Sequence, residues 1–158
     1  MKRPVLFFFA LGGLLLGSAL TVSAQTALRK TVSAYIAKQA KDQDTAEYRP
    51  ARKIVLGDLN GDGAKDAAVQ YTLEGMGGGN NFAQMLVVFI NRKGAYKLAA
   101  EELIGSKMSE RTATLTGITK GRIALKTEAC PEPPQGICGN PKKGTAAFVL
   151  RGGKLSEL

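Results

Sequence analysis

Two stretches decide how this chain folds: Ala67-Ala68-Val69-Gln70-Tyr71-Thr72-Leu73 and Met85-Leu86-Val87-Val88-Phe89-Ile90. In the first, Ala67, Val69, Tyr71 and Leu73 alternate with Ala68, Gln70 and Thr72. A period of two puts the larger apolar side chains on one face, which predicts a half-buried strand. The second stretch is apolar at every position and predicts a central strand covered on both faces. Ile54-Val55-Leu56 precedes them as a short strand, and Asn91-Arg92-Lys93-Gly94 reads as a hairpin turn into Tyr96–Ala100. Thr112, Thr114 and Thr116 alternate with Ala113 and Leu115, and Lys120-Gly121 turns that strand into Arg122–Thr127. Thr145–Leu150 and Leu155–Leu158 form a last hairpin across Gly152-Gly153.

Upstream of the strands the period changes. From Gln25 to about Glu47 there is no Gly or Pro, and Leu28, Val32, Tyr35, Ile36 and Ala40 fall on one helical stripe. Arg29, Lys30, Lys38 and Lys41 lie mostly off that stripe, and Pro50 marks the exit. The expected class is α+β: one N-terminal amphipathic helix packed on a mainly antiparallel sheet of about seven or eight short strands.

The chain has 158 residues, with 22 Lys+Arg against 13 Asp+Glu, two Cys and no His. That length suits a single domain. Without histidine a Ser–His–Asp triad, a His-ligated zinc and an imidazole proton shuttle are all excluded. Met1-Lys2-Arg3 is a basic start, Val5 to Leu16 is an uncharged apolar run, and Val22-Ser23-Ala24 offers small residues at a cleavage position. Together they read as a secretory signal peptide over residues 1–24, with residues 25–158 as the mature domain. The apolar run is shorter than the ~20 residues that a spanning helix needs. Loss of Lys2 and Arg3 lowers the net charge from +9 to +7. No later segment is long and apolar enough to span a bilayer, so the expected location is periplasmic or secreted, in a bacterium.

Two cysteines in an oxidising compartment predict one disulfide, Cys130–Cys138, around a loop that holds Pro131, Pro133 and Pro134. Closing so short a loop is worth about 2.5 kcal/mol on chain-entropy grounds. The spacing is not Cys-x-x-Cys, which argues against redox catalysis.

Between the first two strands lies Asp58-Leu59-Asn60-Gly61-Asp62-Gly63-Ala64-Lys65-Asp66. Oxygen-bearing side chains stand at positions 1, 3, 5 and 9, glycine stands at position 6 where the chain must turn, and Ala64 at position 7 offers its backbone carbonyl. Calcium takes six to eight such hard oxygens. The competing reading is a loop held by Asx-turns without metal. The motif, with a strand on each side, resembles the DxNxDGxxD calcium loops of FG-GAP and VCBS-type repeats in exported bacterial proteins, and is similar to the first nine positions of an EF-hand loop. The resemblance covers about twenty residues and implies calcium ligation by Asp58, Asn60, Asp62, Asp66 and the Ala64 carbonyl. Position 12 is Val69 where an EF-hand has a bidentate Glu, and a strand follows rather than a helix, so no EF-hand opening is implied. The wider pattern, a strand, then Tyr71-Thr72-Leu73-Glu74-Gly75-x-Gly77-Gly78-Gly79-Asn80-Asn81, then an apolar strand, also resembles small exported, periplasmic bacterial proteins, a likeness that implies no activity.

Glu74-Gly75-Met76-Gly77-Gly78-Gly79-Asn80-Asn81 offers bare backbone amides and two Asn side chains. A P-loop would continue with Lys-Ser/Thr and a helix, and here an apolar strand follows. Glu74, Gly77, Gly78, Gly79, Asn80 and Asn81 are therefore candidates for contacting a partner, with a plain strand connection as the alternative. The basic surface suits an envelope protein or polyanion. Aromatics are not clustered beside the basic residues, so specific nucleic-acid binding is not expected. No catalytic residues are assigned. The function these features suggest is a non-enzymatic, exported, calcium-binding structural or binding module. The alternatives are an inhibitor of an envelope enzyme acting through the glycine loop, or a hydrolase pairing Glu74 or Glu101 with a loop Asp.

Overall fold

A computed structural model describes residues 17–130 and 140–158. One helix, α1 (Gly17–Asp42), leads into nine strands: β1 (Ala46–Glu47), β2 (Lys53–Gly57), β3 (Asp66–Glu74), β4 (Phe82–Arg92), β5 (Ala95–Ser106), β6 (Arg111–Thr119), β7 (Arg122–Ala129), β8 (Lys142–Arg151) and β9 (Lys154–Glu157). Among the described residues every strand pairing is antiparallel and there is one α-helix, so the fold is of the α+β class. Residues 1–16 of the expected signal segment lie outside the described residues, and α1 runs on through Ala24 and Gln25. None of the described helices is long and apolar enough to cross a membrane.

The helix stops five residues earlier than its lack of Gly and Pro suggested. Thr45 donates its amide to the Ala40 carbonyl at 2.9 Å and Asp44 to the Lys41 carbonyl at 3.3 Å. Asp44 adopts φ 50°. This is a Schellman cap with aspartate in the left-handed position that glycine usually takes, and so it leaves little trace in the sequence. Freed from the helix, Ala46 and Glu47 form β1, a strand beyond the seven or eight expected. β1 and β2 then pair with the same edge of β3, interrupted by a 3₁₀ turn at Arg49–Ala51 around Pro50.

The chain folds into three layers because the sheet breaks its ladder once. β5 and β6 share only the pair Ser106–Arg111. From there β6–β9 fold back over β1–β5, and two glycines permit the close approach. A Cβ on Gly105 would lie 2.6 Å from the Arg111 carbonyl oxygen, and one on Gly57 would lie 2.6 Å from Ile118 Cγ2. Leu28, Val32 and Ile36 of α1 pack on Ala67, Val69, Tyr71, Leu73, Val87 and Phe89. The opposite faces of β3 and β4 present Ala68, Leu86, Val88 and Ile90 to Leu115, Ile123, Leu125 and Phe148 of the folded-back strands.

The expectation of a half-buried β3 is therefore corrected. Ala68, Gln70 and Thr72 are buried along with the apolar set, because the second half of the sheet covers the face that alternation had assigned to solvent. Gln70 is accommodated by its hydrogen bonds. Its Nε2 donates to the Ala113 carbonyl at 2.9 Å and its Oε1 accepts from the Leu115 amide at 2.6 Å. Gln84 Oε1 accepts from the Ala113 amide at 2.7 Å. Two side-chain amides thus satisfy backbone groups of β6 where β5 has peeled away, which a buried backbone requires.

Candidate functional site

The loop from Asp58 to Lys65 leaves β2 and returns into β3. Asp58 is its organiser: Oδ1 accepts from the amides of Asn60 at 3.2 Å and Gly61 at 2.7 Å, and Oδ2 accepts from Gly63 at 2.9 Å. These donors, Gly63 foremost, hold the Asp58 carboxyl below the usual carboxylate range. The same turn repeats two and four residues on. Asn60 Oδ1 accepts from the Asp62 amide at 3.0 Å, and Asp62 Oδ1 from the Ala64 amide at 2.8 Å. Gly61 and Gly63 supply φ of 80° and 81°, which L side chains rarely adopt. Three oxygen-bearing side chains therefore share one loop in successive Asx-turns. Asn60 Nδ2 also donates to Asp62 Oδ2 at 2.9 Å.

Asp66 occupies a different position from its three companions. It is fully buried, and its oxygens accept from the amides of Leu59 at 2.9 Å and Asn91 at 2.8 Å. The side chain of Asn91 in turn donates to the Lys65 carbonyl at 3.2 Å, and its Oδ1 accepts from Gly94 at 2.8 Å. Asp66 and Asn91 thus lock the loop to the β4–β5 turn. Leu59 is buried between the two sheet layers, so the loop is wedged into the core at one residue, with Asp58 half-buried before it and Asn60 to Gly63 exposed after it. Among the described residues no group of three or more Cys, Asp and Glu side chains stands ready as a metal cage.

The glycine-rich connection lies at the other end of β3. Gly75, Gly77 and Gly78 all have positive φ, which accounts for three of its glycines by turn geometry. Gly75 donates to the Asn81 carbonyl at 3.0 Å, Gly78 to the Gly75 carbonyl at 3.0 Å, and Lys107 Nζ to the Asn80 carbonyl at 3.0 Å. Gly79, Asn80 and Asn81 are exposed, as is Glu74 at the strand end. Glu74 and the loop aspartates are separated by the length of β3, eight residue steps or about 26 Å, and do not converge.

Glu101, the other carboxylate considered above, lies under α1 and accepts a hydrogen bond from Tyr71 Oη. Tyr35 stacks edge-on against Tyr71 at 6.4 Å and Phe89 at 5.5 Å. Burial first, and then the Glu101 carboxylate, push both phenols well above their ordinary value. Cys130 is disulfide-bonded at the end of β7, and Cys138 lies outside the described residues. Asn91, Gln70 and Gln84 were not anticipated from sequence. Only Asn91 carries a local signal there, as the first residue of the Asn-Arg-Lys-Gly turn.

Compared with protein-family models, with the curated proteins and with solved structures, the chain finds no match.

Proposed function

We propose that this protein is a non-enzymatic, exported calcium-binding module, in which the metal organises the Asp58–Asp66 loop and the envelope supplies the partner. The observation that carries the reading is the placement of Asp58, Asn60 and Asp62 oxygens in one loop at the alternate spacing of a calcium loop; the Asx-turns among them also hold the loop without metal, as the competing reading has it. Asp58 Oδ2, Asn60 Oδ1 and Asp62 Oδ1 each accept one backbone amide and keep a second lone pair for a cation, whereas Asp58 Oδ1 already accepts two amides. Asp58, Asn60, Asp62 and the Ala64 carbonyl are the ligands of this reading. Asp66 underpins them from the core, with both oxygens already on backbone amides. Binding has to exchange the Asn60–Asp62 side-chain hydrogen bond for metal contacts, a rearrangement that lowers affinity.

Calcium in the loop offsets the crowding of its carboxylates and fixes the approach to β3. Because Leu59 is inserted between the layers, the ordered loop also steadies the packing of β6–β9 on β1–β5. The test is calorimetric titration of the disulfide-intact protein with calcium. The expected result is a saturable site with one ion per chain that Asp62→Ala abolishes. Heats indistinguishable from dilution, or an unchanged site in Asp62→Ala, would remove the proposal.

A further inference from the structure

The hairpin order sends the Asp58–Lys65 loop and the β4–β5, β6–β7 and β8–β9 turns to one end of the molecule. The two layers meet there: Asp58 and Gly61 of the loop line one cavity of about 410 Å³ together with Ile118, Lys120 and Gly121. Each connection is basic. Arg92 and Lys93, Lys120 and Arg122, and Arg151 and Lys154 stand at the three turns, with Lys65 in the loop, and all of them are exposed. The ion pairs among the described residues lie elsewhere: Lys38–Asp42, Arg49 and Arg52 with Glu47, Arg111–Glu157 and Lys143–Glu128. The carboxylates at the basic end are those of the loop, and backbone amides engage them.

Turn chemistry does not account for these lysines. Lys93 and Lys120 have φ of 55° and 50°, followed by Gly94 and Gly121 at 89° and 72°. Two successive positive φ values suit Asn-Gly or Gly-Gly, and lysine at the first carries a steric penalty that those residues avoid. A strained residue retained at exposed tips directs attention to what the side chain does outside the fold.

We infer that this end is a docking surface for a membrane that carries anionic phospholipid headgroups. Separate basic tips spread over the end of a layered domain match a planar array of phosphates. They offer no aromatic platform on which nucleic-acid bases could stack. The tips carry their charge with or without metal, so the inference goes beyond the calcium reading and does not need it. Calcium in the loop would only raise the local potential, by offsetting Asp58 and Asp62.

Co-sedimentation of the disulfide-intact protein with vesicles tests this. It should bind phosphatidylcholine vesicles that contain phosphatidylglycerol and not phosphatidylcholine alone. Lys120→Glu with Arg122→Glu should cut vesicle affinity by about tenfold or more, and Lys142→Glu with Lys143→Glu, at the other end, by less than about threefold. Lys93→Asn and Lys120→Asn should weaken binding while raising Tm, which separates loss of docking from loss of folding. Equal losses for the two charge reversals would reduce the effect to net charge and overturn the inference. Binding to soluble polyphosphate without binding to the vesicles would overturn it in favour of a polymer. Vesicle binding that survives chelator yet fails on tip reversal upholds the docking surface, whatever the fate of the calcium site.

Discussion

The two connections at the ends of β3 are both rich in glycine, and they are built on opposite principles. In the Asp58–Lys65 loop the side chains do the organising, with carboxylate and amide oxygens accepting from one backbone N–H after another. In the Glu74–Asn81 connection the backbone organises itself, through positive φ at Gly75, Gly77 and Gly78 and amide–carbonyl bonds between Gly75 and Asn81 and between Gly78 and Gly75. Glycine therefore means two things in one chain. In the first loop it makes room for oxygens that point inward, whereas in the second it is the turn itself. The first arrangement gathers side-chain oxygens within one loop, and the second is held by its main chain.

The largest expected effect separates the two ends directly. Asp66→Ala leaves one buried and one half-buried amide without an acceptor and should cost about 4 kcal/mol by urea denaturation, since hydrogen bonds to charge are worth about 1.5–3 kcal/mol each. Glu74→Ala, at the exposed far end of the same strand, should stay within about 0.5 kcal/mol. Comparable costs would break the contrast. Gln70→Leu comes next, at about 2–3 kcal/mol, because the Ala113 carbonyl and the Leu115 amide lose their partner inside the core.

Under the helix, Tyr71 has a raised folded-state pKa, so its contribution is complete below the ordinary phenol value near 10 and is lost as pH rises beyond it. The protein should lose up to about 1.4 kcal/mol per pH unit from this group in alkali. Tyr71→Phe should flatten the slope of stability against pH between pH 10 and 11, and an unchanged slope would assign the loss to other groups. Within the glycine connection, Gly77→Ala at φ 67° should cost about 1 kcal/mol, and Gly79→Ala at φ −113° should be close to neutral. Equal costs would mean that the turn is not set by its φ values.

Much of this architecture was legible in sequence. The stripe Leu28-Val32-Ile36 and the run Met85–Ile90 report their burial in any context that folds, because period and apolarity are local. The alternation of Thr112, Thr114 and Thr116 with Ala113 and Leu115 was equally direct, and those threonines are exposed while Ala113 and Leu115 are buried. What could not be read was the fold-back at Gly105. It depends on a ladder that is not made, and it turned the polar face of β3 into an interior. Gln70 looks like a solvent residue until its partner backbone, more than forty positions later, is in place. The Schellman cap at Asp44 was hidden for a related reason, since aspartate replaces the glycine that would have announced it.

At the candidate site the spacing of Asp58, Asn60 and Asp62 was legible because Asx-turns are local in sequence. The different role of Asp66 was not, since it rests on Asn91, contributed by the end of a neighbouring strand. Nor was the gathering of the basic turns, which follows from strand order rather than from any one segment.

The most direct measurement on the central claim is the melting temperature of the disulfide-intact protein in excess calcium and in chelator. At a calcium concentration a hundred times Kd the stabilisation is about 2.7 kcal/mol, or on the order of 10 °C for a domain of this size. The account predicts that rise for the natural sequence and its disappearance in Asp62→Ala. Superimposable curves in calcium and chelator for the natural sequence would contradict it.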